Sequence, residues 1–165
     1  MKVKDLLSEK GNDYFYIMHL SYNGRERKRL WNYAERREII GLDHHDVNRD
    51  WNNVRESVEI SRIWRKQFEM FCNEMKVGDL VLVLNGWNSL LGVAEVIEHR
   101  YHYDKNLSSG TVERFFDHFR KVRWRIIYGY ANPRRLPQPI EGFNNTLFKV
   151  KPNTNRWSIL INLNI

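Results

Sequence analysis

The chain has 165 residues, enough for one domain with a buried core and too few for two comfortable ones. Lys and Arg total 27 against 20 Asp and Glu, a net charge of +7 that favours a polyanionic partner such as nucleic acid. A single cysteine, Cys72, excludes an internal disulfide and any cysteine-based zinc site.

The opening MKVKDLLSEK lacks the apolar core of a signal peptide, and no apolar run approaches the roughly 18 residues that span a bilayer, so a cytoplasmic protein is expected. The segment 13–22, DYFYIMHLSY, reads as a strand that ends in the turn Asn23-Gly24. Residues 25–38 are charged and helix-friendly, and IIGLD (39–43) is a short buried strand. From Ile60 the apolar residues fall at Ile60, Ile63, Trp64, Phe68, Phe71, Cys72 and Met75, the spacing of an amphipathic helix capped by Ser57 or Ser61.

Gly78-Asp79 ends that helix and launches LVLVLN (80–85), which Asn85-Gly86 turns into the strand LLGVAEVI (90–97). Trp87 stands at the tip of this hairpin. In 119–128, Val122, Trp124, Ile126 and Tyr128 alternate with Lys121, Arg123 and Arg125, which predicts one core face and one basic face. Residues 131–145 hold three of the four prolines and read as an irregular connection. TLFKV and RWSILINL read as closing strands. This order predicts an α+β domain, a curled and mostly antiparallel sheet with helices packed outside.

Several chemistries lack their residues. There is no phosphate-binding G-x-x-x-x-G-K-[ST] loop, no G-x-G-x-x-G and no G-x-S-x-G elbow. DHHD (43–46) offers metal-ligand types, but adjacent His44 and His45 on an extended chain point to opposite sides. Glu74-Met75-Lys76 has the Glu-x-Lys spacing of metal-dependent nucleases, yet it falls at a helix end with no upstream acidic strand residue to complete a site. No metal and no cofactor are therefore expected.

Aromatic residues make up 13% of the chain, more than a small core requires. A protein that reads a modification on a base can flip that base into a pocket with planar walls, while Arg and Lys hold the backbone. Trp31 and Tyr33 lie among Arg27, Lys28, Arg29, Arg36 and Arg37, although Trp31 also fits the buried stripe of a short helix. Tyr101 and Tyr103 share one side of an extended segment, followed by Phe115 and Phe116. Trp64 and Trp124 read as core. Trp87 suits either a wedge against DNA or a lid folded over the end of the sheet.

The stretches MKVGDLVLVLNGWNSLLGVAEV (75–96), YHYD (101–104) and HFRKVRWRI (118–126) together resemble the body of a PUA-like domain of the EVE and YTH kind. YFYIMHLSYN, RLWNYA and EIIGLD upstream resemble its first strand, Trp-bearing segment and second strand, so the likeness spans roughly residues 13 to 128. It implies a mixed sheet curled into a barrel-like core with helices outside, and a pocket for a modified base at one end. By position, Trp31 matches the cage tryptophan, and Ser21 to Asn23 match the polar residues that bond the base edge. The second wall falls to Tyr101, Tyr103, Phe115 or Phe116.

The expectation is a non-catalytic domain that flips a methylated base of duplex DNA, N6-methyladenine ahead of 5-methylcytosine, into a cage of Trp31, Tyr33, Tyr101, Tyr103 and Phe116. Ser21, Asn23, Asn32 and Asp43 would bond the base edge. Arg27, Lys28, Arg29, Arg36, Lys105, Arg120 and Trp87 would contact the backbone. The resemblance implies the specificity domain of an McrB-type restriction system, the N-terminal part of a longer chain with a GTPase or ATPase domain and a nuclease partner. The rivals are a reader of modified RNA, a small metal-dependent nuclease and a protein-binding module.

Overall fold

The computed structural model describes residues 1–20, 24–105, 117–140 and 146–165. Helix α1 (Val3–Lys10) is opened by the Asp5 carboxylate, which accepts from the Lys2 amide at 2.6 Å, and it ends at Gly11 in the left-handed region. Strand β1 (Phe15–Leu20) leads into α2 (Gly24–Arg37), β2 (Ile39–Leu42), the single turn α3 (Trp51–Val54) and α4 (Arg62–Glu69). Ser61 caps α4 by accepting from the Trp64 amide. The helix then widens into a π-turn (Met70–Glu74). The hairpin β3 (Leu80–Asn85) and β4 (Ser89–Val96) follows, then β5 (His102–Tyr103), β6 (His118–Ile127), β7 (Arg134–Arg135), β8 (Leu147–Val150) and α5 (Asn155–Leu160).

The strands form one mixed sheet in the order β2-β6-β4-β3-β1-β8, with β5 on β6 and β7 on β4. β1 runs parallel to β3, and the other pairings are antiparallel. The sheet curls into a half-barrel, so the chain is α+β as the residue pattern predicts. Both faces are covered. On one, Tyr16, Met18, Val81, Val83, Ala94 and Val122 pack against Trp51, Phe68 and Phe71. On the other, Phe15, Ile17, Leu80, Leu82, Leu84 and Val93 pack against Leu6 and Leu7 of α1 and Leu160 of α5. With period-2 alternation and two covered faces, β1 and nearly all of β3 and β4 are buried.

Two expectations change, and one element is additional. RWSILINL is the helix α5 rather than a strand, because Thr154 caps it by accepting from the Trp157 amide and Leu160 buries among α1 residues. The opening decapeptide is a packed helix, with Val3, Leu6 and Leu7 at i, i+3 and i+4. The supposed single core face of β6 is split, since the register slips between Val93/Ile126 and Ala94/Trp124, leaving Arg125 as the extra residue of a bulge. Trp124 therefore joins the face of Ala94 while Ile126 and Tyr128 join that of Val93.

The basic side of β6 is neutralised rather than open. Glu95, almost fully buried, accepts from Lys10 at 2.9 Å, Arg125 at 2.8 Å and Arg123 at 3.1 Å, and Arg125 also reaches Glu9 at 3.0 Å. Burial alone would raise the Glu95 pKa, but the bonds from Lys10, Arg125 and Arg123 outweigh it and hold the carboxyl at about 2. A folded-state pKa below the unfolded one gives stability that is present above about pH 4.5 and lost as pH falls toward 2. Glu95→Gln is expected to cost on the order of 2–3 kcal/mol at pH 6 and to flatten the acid limb of stability, read by urea unfolding at pH 6 and pH 2.5. A variant as stable as the wild type at pH 6 would deny the cluster that role.

Candidate nucleic-acid interface

Helix α2 starts at the end of β1 and lays Leu30, Trp31 and Ala34 onto the sheet. Trp31 is 1% exposed. Beside its seat lies a second bulge, at which the register shifts between Val83/Gly92 and Leu84/Leu90, so that Leu91 is the extra residue. The indole lies on the backbone of Gly92, where a Cβ would come within 2.9 Å of Trp31 Cη2, 3.3 Å of Trp124 Cε3 and 2.8 Å of the Ile126 carbonyl oxygen. Only glycine permits that approach. Trp124, half-buried, meets Trp31 edge-on with ring centroids 4.9 Å apart and planes at 61°.

The two indoles share an electrostatic property. Nε1 of Trp31 and Nε1 of Trp124 are both buried with no hydrogen-bond acceptor among the described residues, as are other buried polar atoms, Tyr16 Oη, Arg27 Nε, Gln67 Nε2 and His118 Nδ1 among them. An indole N–H can only donate, and a buried donor left unmatched costs roughly 1–3 kcal/mol, so two on touching rings call for an explanation. Trp124, read from the sequence as core, is thus the aromatic neighbour of Trp31. It lies on the face of Val122, and the bulge at Arg125 sends Ile126 and Tyr128 away to the other face.

One helical turn before Trp31, Arg27 reaches the tip of the β3–β4 hairpin. Its Nη1 donates to Asn85 Oδ1 at 3.4 Å, and Gly86 makes the turn with φ +66°. His19, at the end of β1, donates from Nδ1 to the Gly86 carbonyl at 2.9 Å. Burial, ahead of the opposing effect of that bond, lowers the His19 pKa, so the ring is neutral at pH 7. Trp87 is 46% exposed, 6.2 Å from the His19 ring. Lys28, Arg29 and Arg36 of α2 are exposed, while Asn32 is half-buried.

The other expected cage residues lie elsewhere. Tyr101 donates to Asp50 Oδ1 and Tyr103 to the Asn48 carbonyl, and both rings lie against His118. His118 begins β6, six residues and about 20 Å along the strand from Trp124. These tyrosines therefore fasten the 43–50 segment and do not wall a cage with Trp31. Tyr33 packs with Leu30, Ile39 and Phe119 beneath the Arg37 guanidinium. Asp43 is half-buried just past β2, which pairs Leu42 with His118, and so belongs to that far end; Lys105 is exposed. Ser21, Asn23, Phe115 and Phe116 lie outside the described residues.

Arg120 is a correction of another kind. It is fully buried, and its guanidinium donates to the carbonyls of Phe71, Cys72, Glu98 and His99. It ties the π-turn to the sheet and cannot reach a phosphate. His44 and His45 also depart from expectation, because a turn stacks their rings 4.4 Å apart beside Trp64 instead of splaying them. Their ligand atoms and that of Asp46 lie within 4.8 Å of one another, but nearly parallel rings aim their lone pairs along parallel planes, not at one point. An open groove of about 770 Å³ runs beside this turn, between His44, Val58, Ile60 and Trp64.

The arrangement offers two indole donors unmatched among the described residues, an aromatic corner and a basic helix. Gly92→Ala is expected to destabilise the fold by about 1–3 kcal/mol in urea and to change the emission of Trp31, because the backbone of Ile126 cannot give way. An unshifted urea midpoint would show the seat to be loose. Arg120→Met is expected to cost about 3 kcal/mol or more, since the buried bonds to the Phe71 and Cys72 carbonyls and the part-buried ones to Glu98 and His99 are lost; a smaller loss would mean that water replaces the guanidinium.

Among the described residues no helix is long and apolar enough to cross a membrane. The chain matches no curated protein. Among solved structures it is similar to the YTH domain of the Zygosaccharomyces rouxii MRB1 protein in complex with N6-methyladenosine RNA, at 17% identity and a TM-score of 0.44 over 90% of this chain and 84% of that one. It is also similar to protein Atu2648 of Agrobacterium tumefaciens, at 12% identity and a TM-score of 0.40 over 89% and 90% of the two chains. Over residues 17–149 it matches the family described as a domain of unknown function, DUF8426, and the chain belongs to that family.

Proposed function

We propose that this chain is a non-catalytic reader of a methylated base in nucleic acid. One observation carries the reading: Trp31 and Trp124 meet ring to ring, and the buried indole N–H of each has no acceptor among the described residues. A flipped base supplies what they lack, a flat π-face and ring nitrogens or carbonyl oxygens that accept. The exposed cations Lys28, Arg29 and Arg36 on the same helix suit the phosphates around it.

The two rings stand edge-on at 4.9 Å, whereas a base between two aromatic planes needs about 7 Å. Binding is therefore coupled to a swing of one ring, and half-buried Trp124 is the one with room to move. A methyl group adds only about 0.8 kcal/mol by burial, so discrimination also draws on a bond to the base edge. N6-methyladenine in duplex DNA is the favoured ligand, as in the specificity domain of a modification-dependent restriction system. That finer assignment follows from the resemblance of the 75–96 and 118–126 segments to EVE-like domains.

Anisotropy titration with DNA duplexes and RNA strands that differ by one methyl group tests the reading. The methylated duplex is expected to bind most tightly, and Trp124→Phe, which keeps a ring but removes the N–H, is expected to reduce the preference about fivefold or more. Equal affinity for methylated and plain forms of both nucleic acids would overturn it. Preference for methylated RNA would move the function to RNA.

A further inference from the structure

The hairpin tip carries an independent set of observations. The turn requires Gly86, with φ +66°, but nothing in its geometry requires a tryptophan next to it. The tip is nevertheless firmly held. The Trp87 carbonyl accepts from the Ile140 amide at 2.8 Å, the Asn88 carbonyl from the Leu136 amide at 2.8 Å, and His19 and Arg27 hold Gly86 and Asn85 from the other side. His19 in turn stacks on Phe148 at 5.7 Å, under the Arg156 guanidinium. A large indole is thus held out in water by a rigid support.

The strand β7 adds charge at the same place. Its two residues pair with the start of β4, Arg135 opposite Ser89 and Arg134 opposite Leu90. Both arginines are exposed, and neither forms an ion pair among the described residues. The contrast with Arg123 and Arg125, which are neutralised by Glu95 and Glu9, is direct. Leu90 belongs to the sheet face that also carries Phe148, so Arg134 lies on the side where Trp87 meets His19. An exposed aromatic ring with two exposed guanidiniums on the strand paired beside it suits stacked bases joined by phosphates, and it suits an apolar protein surface poorly.

We propose that the hairpin tip is a second nucleic-acid contact, in which Trp87 stacks on a base flanking the one that is read and Arg134 and Arg135 hold its phosphates. It rests on the base-reading function proposed above and extends it. Arg27 joins the two contacts, since it touches the tip while Trp31 follows one helical turn, about 6 Å, further along α2. The contact carries no information about the methyl group, because stacking is tolerant of base identity.

The experiment measures the affinity of the whole chain for a methylated-adenine duplex and its plain counterpart across a salt series. Trp87→Ala is expected to weaken both about five- to hundredfold while keeping their ratio, and Trp87→Phe to restore most of the loss. The double variant Arg134→Ala with Arg135→Ala is expected to reduce the slope of log affinity against log salt by about two. Wild-type affinities and slopes in these variants, with the methyl preference intact, would overturn the second contact and leave the reading of the base standing. Loss of the methyl preference in Trp87→Ala, with plain affinity unchanged, would overturn it by making Trp87 the reader. A wild-type chain that binds neither duplex nor the matching methylated and plain RNA strands would overturn both.

Discussion

The approach of Trp31 to the backbone of Gly92 is the constraint on which the rest of the site depends. Gly92 shares the face of Ala94 and Val96, and its missing side chain lets an indole lie where a Cβ would stand 2.9 Å from its ring. Trp124, on the same face as Val122, meets that indole edge-on. The bulge at Arg125 sends Ile126 and Tyr128 to the opposite face, so the strand beyond Trp124 packs into the other core. Two bulges thus flank the aromatic corner, and bulges are often found next to functional sites.

The same fold separates two kinds of positive charge. Arg120, Arg123, Arg125 and Lys10 are structural, satisfied by carbonyls or by Glu95 and Glu9. Lys28 in the first half of α2, and Arg134 and Arg135 on β7 beside the start of β4, face water. Net charge by itself cannot make this distinction. The electrostatic surface that matters is the residue left after the internal pairs are removed, and it lies at the end that also holds Trp87 and the indole pair.

Much of the architecture was legible because each central strand is bounded by turn signals such as Asn85-Gly86 and Gly78-Asp79, and α4 by its Ser61 cap. The helices at the two ends of the chain were not, since Val3 with Leu6 and Leu7, and Leu160, declare themselves only by packing on each other's face of the sheet. Within the site, Trp31 and the basic start of α2 could be found from the residues. Its partner could not, because the alternation of β6 puts Trp124 on the core side with Val122 and carries no sign that Trp31 packs against it. Tyr101 and Tyr103 were misplaced for a related reason: proximity in sequence to β6 put them at its beginning, while Trp124 is near its other end. Arg120 looked like a surface cation until its four carbonyl partners were visible.

The claim at the centre is that the unmatched indole donors of Trp31 and Trp124 are the ligand-binding groups. The most direct measurement follows their indole N–H resonances by ¹H–¹⁵N NMR, assigned through single Trp→Phe variants, while a duplex with one N6-methyladenine is added. Both resonances are expected to shift and to become slower to exchange with water as each donor gains an acceptor. Movement of other signals with these two unchanged would contradict it, and would mean that nucleic acid binds the protein without entering the aromatic corner.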